Sequence, residues 1–125
     1  EISIYGEVSF FTYLDKLRLE FSDIEIKHFQ SNVEGEIIDM LHQCGTNTEI
    51  GVIINPGGYS HTSVAISDAI RAIENTVIEV HISNVHARES FRQDMITGSA
   101  CKGIISGLGL DSYKMAIQYF QENKV

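Results

Sequence analysis

The chain has 125 residues, 43% of them hydrophobic, which suffices for one domain with a buried core. Its 17 acidic and 9 basic side chains give a formal charge of -8, which argues against nucleic acid or an anionic membrane surface as a non-specific partner. No apolar run approaches the roughly 18 residues of a membrane span, and no signal-peptide pattern is seen at the start. Cys44 and Cys101 lack metal-ligand spacing. We therefore expect a reduced, soluble, cytoplasmic protein.

The first third of the chain alternates between helical and extended patterns. Apolar residues three to four positions apart predict a helix over residues 9–21. Residues 23–29 alternate apolar and polar with period two, which predicts a strand exposed on one side. Ser31 and Glu34 have the spacing of a capping box, which predicts the start of a second helix that ends near Gly45.

The rest of the chain continues this alternation. Buried strands are predicted over residues 50–54, 76–81 and 101–107, and helices over residues 62–73 and 112–123. A charged loop with one helical turn is predicted through Arg92. Because parallel strands need crossover connections, the alternation predicts a mostly parallel sheet with helices on both faces, in one domain over residues 1–125.

Polar residues follow two of the buried strands. Residues 55–61 (NPGGYSH) follow the first of them, and residues 79–84 (EVHISN) continue the second. Because open α/β folds bind their ligands at the carboxyl ends of the strands, these two segments predict an active site.

Glu79, His81 and Ser83 point to one side of the predicted strand, because side chains alternate along it. A carboxylate beside an imidazole fixes the tautomer of the ring and favours its protonated form, which suits a general acid near neutral pH. The alternatives are a purely structural Glu–His pair, or a zinc site that also uses His61 and His86. A zinc site would lack the usual short-spaced motif.

Asn55 and His61 each allow two interpretations. Asn55 can bind a ligand, with backbone amides brought close by the glycines that follow Pro56, or it can only shape a turn. His61 can bind a ligand or mark the start of the next helix.

Arg88 and Arg92 are four residues apart and would share one face of a helical turn. They can offer bidentate contacts to oxyanions or hydroxyls, or form a merely solvated face. Tyr5, beside Gly6, is a poor base as a neutral phenol, but a neighbouring guanidinium would favour the phenolate.

Together these segments resemble type II 3-dehydroquinate dehydratase, also called type II dehydroquinase. The similarity runs through residues 3–6 (SIYG), 29–36 (FQSNVEGE), 53–63 (IINPGGYSHTS), 78–84 (IEVHISN), 88–92 (RESFR) and 103–109 (GIISGLG). These motifs occur in the same order and spacing over nearly the whole chain.

The resemblance implies a flavodoxin-like, three-layer α/β/α domain with a doubly wound parallel sheet, assembled as trimers into a dodecamer. It implies a lyase of the shikimate pathway, which supplies aromatic amino acids. This enzyme dehydrates 3-dehydroquinate to 3-dehydroshikimate by trans elimination through an enolate. The implied reaction uses no metal or other cofactor.

The resemblance also assigns the chemistry to particular residues. Tyr5 would be the base that removes a proton from C2 of the substrate. His81, oriented by Glu79, would be the general acid that protonates the departing C1 hydroxyl. Asn55 and the backbone amides of Ile82 and Ser83 would hold the substrate carboxylate.

The remaining positions of the implied site surround the ring. His61 and Arg92 would bind its hydroxyls. Asp68 would reach the site of a neighbouring subunit. Arg88 would make the Tyr5 phenol easier to deprotonate.

The sequence departs from the family pattern at its start. Residues 1–6 form a loop-like hexapeptide directly before a helix. The family begins instead with a strand that ends in a Gly-Pro-Asn-Leu-Asn type segment, and it carries an arginine just before the tyrosine. We therefore expect the numbered chain to be an incomplete record of the working polypeptide, because that strand lies inside a sheet of order 2-1-3-4-5.

Three other functions are compatible with parts of the pattern. One is a flavodoxin-like ligand-binding module without catalysis, such as a flavin carrier or a phospho-acceptor receiver, although the strand ends carry Asn, His and Ser rather than an acidic cluster. The others are a metal-dependent hydrolase and a catalytically inactive subunit of an oligomer.

Overall fold

The computed structural model describes residues 2–84 and 95–123, with side chains from Phe10 onward. The helices are α1 (Ile2–Glu20), α2 (Glu34–Cys44), α3 (Val64–Ala72) and α4 (Asp111–Glu122), and the strands are β1 (Val52–Ile54), β2 (Val77–His81) and β3 (Gly103–Ser106). Short 3-10 turns cover Gly57–His61 and Gly98–Ala100. Residues 85–92 of the predicted loop, which include Arg88 and Arg92, lie outside the described residues.

The three strands form a parallel sheet in the order β1-β2-β3. Ile54 pairs with Glu79 across the first junction, and His81 pairs with Ser106 across the second. The prediction of a parallel sheet is confirmed, with strands one to three residues shorter than predicted. All three strands therefore present their carboxyl ends at the same edge of the sheet.

Helices cover both faces of the sheet, as the alternation predicted. One face packs α2 and α3 against β1 and β2 through Leu41, Ile54, Ile66, Ala69, Ile70 and Val77. The other face packs α1 and α4 through Leu17, Phe21, Ile78, Val80, Ala116 and Ile117. The three-layer α/β/α architecture follows from neighbouring strand residues that point to opposite faces.

The strand predicted over residues 23–29 is absent from the structure, and this prediction was wrong. Its alternation is nevertheless real, because Ile24 and Ile26 pack against a core cluster while Glu25 is exposed. No described strand lies alongside to accept a ladder of hydrogen bonds. The carbonyl of Ile26 instead accepts bonds of 3.2 and 3.0 Å from the Arg18 guanidinium.

The predicted loop at residues 1–6 was also wrong, because α1 begins at Ile2. These residues contain no proline and only one glycine, so their propensity does not prevent the helix from extending. None of the described helices combines the length and apolar character that crossing a bilayer requires.

The predicted capping box at the start of α2 does not form. The helix has Val33 as its cap residue, with no side-chain capping bond. Ser31 Oγ accepts from the Val33 amide at 3.0 Å and donates to Glu36 at 2.5 Å. Glu34 does not reach back to Ser31, because its carboxylate accepts a bond from the Ser63 hydroxyl at the start of α3.

Candidate active site

Glu79 and His81 lie on the same side of β2, at its carboxyl end, and are in direct contact. Nε2 of His81 is 2.7 Å from one carboxylate oxygen of Glu79. The other carboxylate oxygen accepts a bond of 2.5 Å from the hydroxyl of Thr97. Glu79 and Thr97 are 0% exposed and His81 is 6% exposed. The carboxylate is thus bonded on both oxygens and shielded from water.

The contact with Glu79 determines which ring nitrogen of His81 faces the carboxylate and which does not. Because Nε2 is held by Glu79, Nδ1 is the nitrogen that does not contact the carboxylate. A buried carboxylate favours a proton on the nitrogen that it touches, which fixes the tautomer and the orientation of the ring. The pair can therefore hold and release a proton at Nδ1.

The carboxyl end of β2 is held in place by the segment after β3. The carbonyl of His81 accepts bonds from the amide of Gly107 at 3.1 Å and from the hydroxyl of Ser112 at 3.2 Å. Ser112 is completely buried and also accepts from the amide of Leu108. Sequence reasoning missed the role of Ser112, which lies three residues after the GLG segment at residues 107–109.

Asn55 is fixed at both ends of its side-chain amide. Its Oδ1 accepts from the amide of Gly57 at 3.2 Å, and its Nδ2 donates to the hydroxyl of Tyr113 at 2.9 Å. The backbone amide of Gly57 can only donate, so it settles which end of the Asn55 amide is oxygen. Asn55 therefore does shape this turn, and the bond to Tyr113 uses one of the two N–H groups of Nδ2.

Tyr113 lies beside Asn55, which the sequence did not indicate. It belongs to the helix predicted over residues 112–123, and its ring packs against the core, with Phe10 edge-on at 5.4 Å. Burial raises the pKa of the Tyr113 phenol, and the hydrogen bond from Asn55 opposes part of that rise. The phenol therefore stays neutral near pH 7 and can accept from Asn55.

An open depression of about 440 Å³ borders Asn55. It lies between residues 30–32 and the loop at residues 55–59. Gly57 in this loop has a φ of +58°, which favours glycine. The hydroxyl of Tyr59 donates to the carbonyl of Asn32 at 3.0 Å and joins the two walls. Neither His61 nor His81 lines the depression.

The other predicted site residues differ in their position in the fold and in their exposure to solvent. His61 is half-buried at the end of the turn Gly57–His61. Ile82 and Ser83 are exposed just beyond β2, and Asp68 is exposed on α3. Tyr5 is in α1, but its side chain lies outside the described part of the structure, as do Arg88 and Arg92. The structure thus brings together Glu79 and His81, and adds Thr97 to them.

A cysteine lies close to the acidic side chain of this site. The Sγ of Cys101 donates to the carbonyl of Thr97 at 3.4 Å. Burial, with the negative charge of Glu79, raises the pKa of Cys101 to about 12. Cys101 is therefore a neutral thiol near pH 7. Among the residues that the structure describes, no three His, Cys, Asp or Glu side chains gather as a metal site would require.

The fold and the Glu79–His81 pair define an α/β protein of the doubly wound class with a candidate acid–base site at the carboxyl ends of its strands. A family model described as Dehydroquinase class II matches residues 1–121. The chain therefore belongs to the class II dehydroquinase family.

Named relatives and solved structures agree with this assignment. The 3-dehydroquinate dehydratase of Caldicellulosiruptor bescii is 46% identical over 124 residues, covering 98% of this chain and 86% of the relative. The 3-dehydroquinate dehydratase of an Exiguobacterium species is 47% identical over 98% of this chain and 84% of its own length. The crystal structure of type II dehydroquinase from Butyrivibrio crossotus has a TM-score of 0.84 and 40% identity, covering 90% of this chain and 78% of that one. These similarities support the flavodoxin-like fold that the family resemblance implied.

Proposed function

We propose that the chain is a hydro-lyase of the shikimate pathway that dehydrates 3-dehydroquinate to 3-dehydroshikimate. The observation that carries the proposal is the buried contact between Glu79 and His81 at the carboxyl end of β2, in a chain of this family. Relatives that are named as dehydratases favour catalysis over the alternative of a flavodoxin-like module that only binds a ligand.

The first step is removal of a proton from C2 of the substrate. This carbon is next to the C3 ketone, so the carbanion is delocalised as an enolate. Tyr5 is the base in this proposal, and Arg88 favours its phenolate form. Both assignments come from the resemblance of residues 3–6 and 88–92 to the family motifs.

The second step is loss of the hydroxyl from C1. The electron pair of the enolate reforms the ketone and the C1–C2 double bond forms as the C1–O bond breaks. His81 donates a proton from Nδ1 to the departing oxygen, which leaves as water. Glu79 supports this step, because its hydrogen bond to Nε2 fixes the orientation of the ring that presents Nδ1 to the departing oxygen. Base and acid act on opposite faces of the ring, which gives trans elimination.

Binding of the substrate uses polar groups at the same edge of the sheet. Asn55 offers an oriented N–H to the substrate carboxylate, together with the backbone amides of Ile82 and Ser83. His61 and Arg92 bind the ring hydroxyls. No metal or other cofactor is required, since an enolate intermediate needs only a base, an acid and hydrogen-bond donors.

Assembly and location are part of the same proposal. The family pattern supports trimers that form a dodecamer, in which Asp68 reaches the site of a neighbouring subunit. Asp68 is exposed on α3, as such a contact requires. A biosynthetic role of this kind fits the cytoplasm. Gel filtration near the mass of a single chain, 14.0 kDa, would refute the oligomer.

A stereochemical experiment tests the reaction. The substrate is prepared with deuterium at one or the other C2 position, and the product is examined for retained label. Trans elimination predicts loss of the hydrogen anti to the C1 hydroxyl and retention of the other. Loss of the syn hydrogen would contradict the proposal. Tyr5→Phe should lower kcat by at least about 100-fold and leave binding largely intact, because only the proton-accepting oxygen is removed.

A further inference from the structure

We infer that Thr97 is a positioning residue for the general acid, acting through the carboxylate of Glu79. Its hydroxyl donates to the oxygen of Glu79 that His81 does not contact, at 2.5 Å. The three side chains form a continuous chain of hydrogen bonds, Thr97–Glu79–His81. This inference rests on the proposed function, because it adds a residue to the same site.

Because Glu79 is buried, the hydrogen bond from Thr97 affects how firmly its carboxylate is held. A carboxylate that is 0% exposed cannot turn to water for its remaining lone pairs, so each oxygen needs a partner within the protein. His81 satisfies one oxygen and Thr97 the other. Without the hydroxyl of Thr97, the carboxylate could rotate about its terminal torsion, which is intrinsically soft. The ring of His81 would then lose its fixed orientation.

The backbone of Thr97 is held firmly enough to act as an anchor. Its amide donates to the carbonyl of Ser60 at 3.3 Å, and its carbonyl accepts from the amide of Ala100 at 3.0 Å. The same carbonyl accepts from the thiol of Cys101. Thr97 therefore connects the strand that carries the acid pair to the residue next to His61. The side chain has no exposed surface, so solvent does not compete for its hydroxyl.

Loss of the Thr97 hydroxyl should affect the step in which His81 donates a proton to the departing oxygen. A loosely held His81 would sample orientations in which Nδ1 misses the departing C1 oxygen. The effect belongs to the transition state rather than to ground-state binding, because the substrate carboxylate is bound by other groups. Loss of the hydroxyl should therefore lower kcat and leave KM nearly unchanged.

The test compares Thr97→Val, which removes the hydroxyl and keeps the shape, with Thr97→Ser, which keeps the hydroxyl. We expect kcat to fall about tenfold in Thr97→Val with KM within about twofold of wild type, and to recover in Thr97→Ser. Thr97→Ala provides a second removal variant. The matched control is Thr46→Val, because the hydroxyl of Thr46 donates to the carbonyl of Gln43 at the exposed end of α2. Circular dichroism ensures that folded proteins are compared.

A double variant separates positioning from general damage. In a His81→Ala background, Thr97→Val should cause no further loss of the residual kcat, because the group that Thr97 orients is gone. A tenfold loss that persists in this background overturns the inference, as does a Thr97→Val enzyme with wild-type kcat.

Wild-type protein offers an independent check. The hydroxyl proton of Thr97 should exchange slowly and give a downfield NMR signal, and its absence would also overturn the inference.

Failure of the proposed function would look different from failure of this inference. If wild-type protein does not convert 3-dehydroquinate, the function itself is refuted. If wild type is active and Thr97→Val matches it, only the role of Thr97 is refuted.

Discussion

Asn55 and Tyr113, which are 58 residues apart in the sequence, are joined by a hydrogen bond of 2.9 Å. The bond connects the loop after β1 to helix α4, and the amide of Gly57 holds the other end of the Asn55 side chain. The Asn55 amide is thus oriented before any ligand arrives, so little conformational entropy is lost on binding. Such preorganisation is what a group that binds a carboxylate requires.

Tyr113→Phe removes this bond and keeps the packed ring. We expect KM for 3-dehydroquinate to rise about threefold to tenfold with a smaller change in kcat, because a ground-state contact is loosened. Steady-state kinetics measure both. Tyr13→Phe is the control, since the hydroxyl of Tyr13 donates to Asp111 instead. An unchanged KM in Tyr113→Phe would show that the bond does not prepare the site.

Gly107 lies at the turn that holds the carboxyl end of β2. Its φ is +90°, and a Cβ there would approach that of Asn84 to 3.2 Å. We expect Gly107→Ala to lower the free energy of unfolding by about 1–3 kcal/mol, as measured by urea denaturation. Gly35→Ala is the control, because Gly35 lies in α2 with open space around it. Equal stability of the two variants would contradict this account of the turn.

Asn75 joins the end of α2 to the segment before β1. It is 7% exposed, and its Nδ2 lies 3.0 Å from each of the carbonyl oxygens of Cys44, Asn47 and Ile50, so its two N–H groups serve three acceptors. Asn75→Asp would replace this donor with a carboxylate facing three carbonyls. We expect a loss of about 3 kcal/mol or more in the free energy of unfolding at neutral pH.

The same substitution at Asn47 is the matched control for Asn75→Asp. Asn47 uses its oxygen to accept from the amide of Glu49, and an aspartate keeps that acceptor. Asn47→Asp should therefore change stability by less than about 0.5 kcal/mol. Comparable losses in the two variants would show that the donor of Asn75 is not what holds this junction.

The thiols give a prediction for alkaline pH. The pKa of Cys101 is raised from its ordinary 9.0 to about 12, and burial also raises the pKa of Cys44. At pH 8.5 we expect iodoacetamide to label both cysteines much more slowly in native than in urea-unfolded protein, because the thiolate is the nucleophile. Rapid native labelling of Cys101, located by peptide mass spectrometry, would contradict its burial beside Glu79.

The same shift makes stability depend on pH. The folded-state pKa of Cys101 is raised, so the folded protein favours the neutral thiol. The contribution of Cys101 to the free energy of unfolding is therefore fully present below pH 9 and is lost as the pH rises from about 9 to about 12. Cys101→Ala should flatten this decline in a series of urea denaturations. If the free energy of unfolding of Cys101→Ala fell equally steeply with pH, other titrating groups would be responsible for the decline.

Many of the correct predictions rest on the periodicity of residues that are close together in the sequence. Period two placed Glu79 and His81 on one side of β2, which is enough to bring the two side chains next to each other. Thr97 and Tyr113 could not be found in this way, because their partners lie 18 and 58 residues away along the chain. The error at residues 23–29 has a related cause. Alternation correctly predicted which residues face the core, but a strand also needs a neighbouring strand.

The most direct test of the central claim is the near-ultraviolet absorbance of the conjugated enone product after 3-dehydroquinate is added to the purified protein. We predict that wild-type protein produces this absorbance and that His81→Ala lowers kcat by about 100-fold to 10,000-fold. Absence of product with the full-length wild-type protein, or a His81→Ala variant as fast as wild type, would contradict the account.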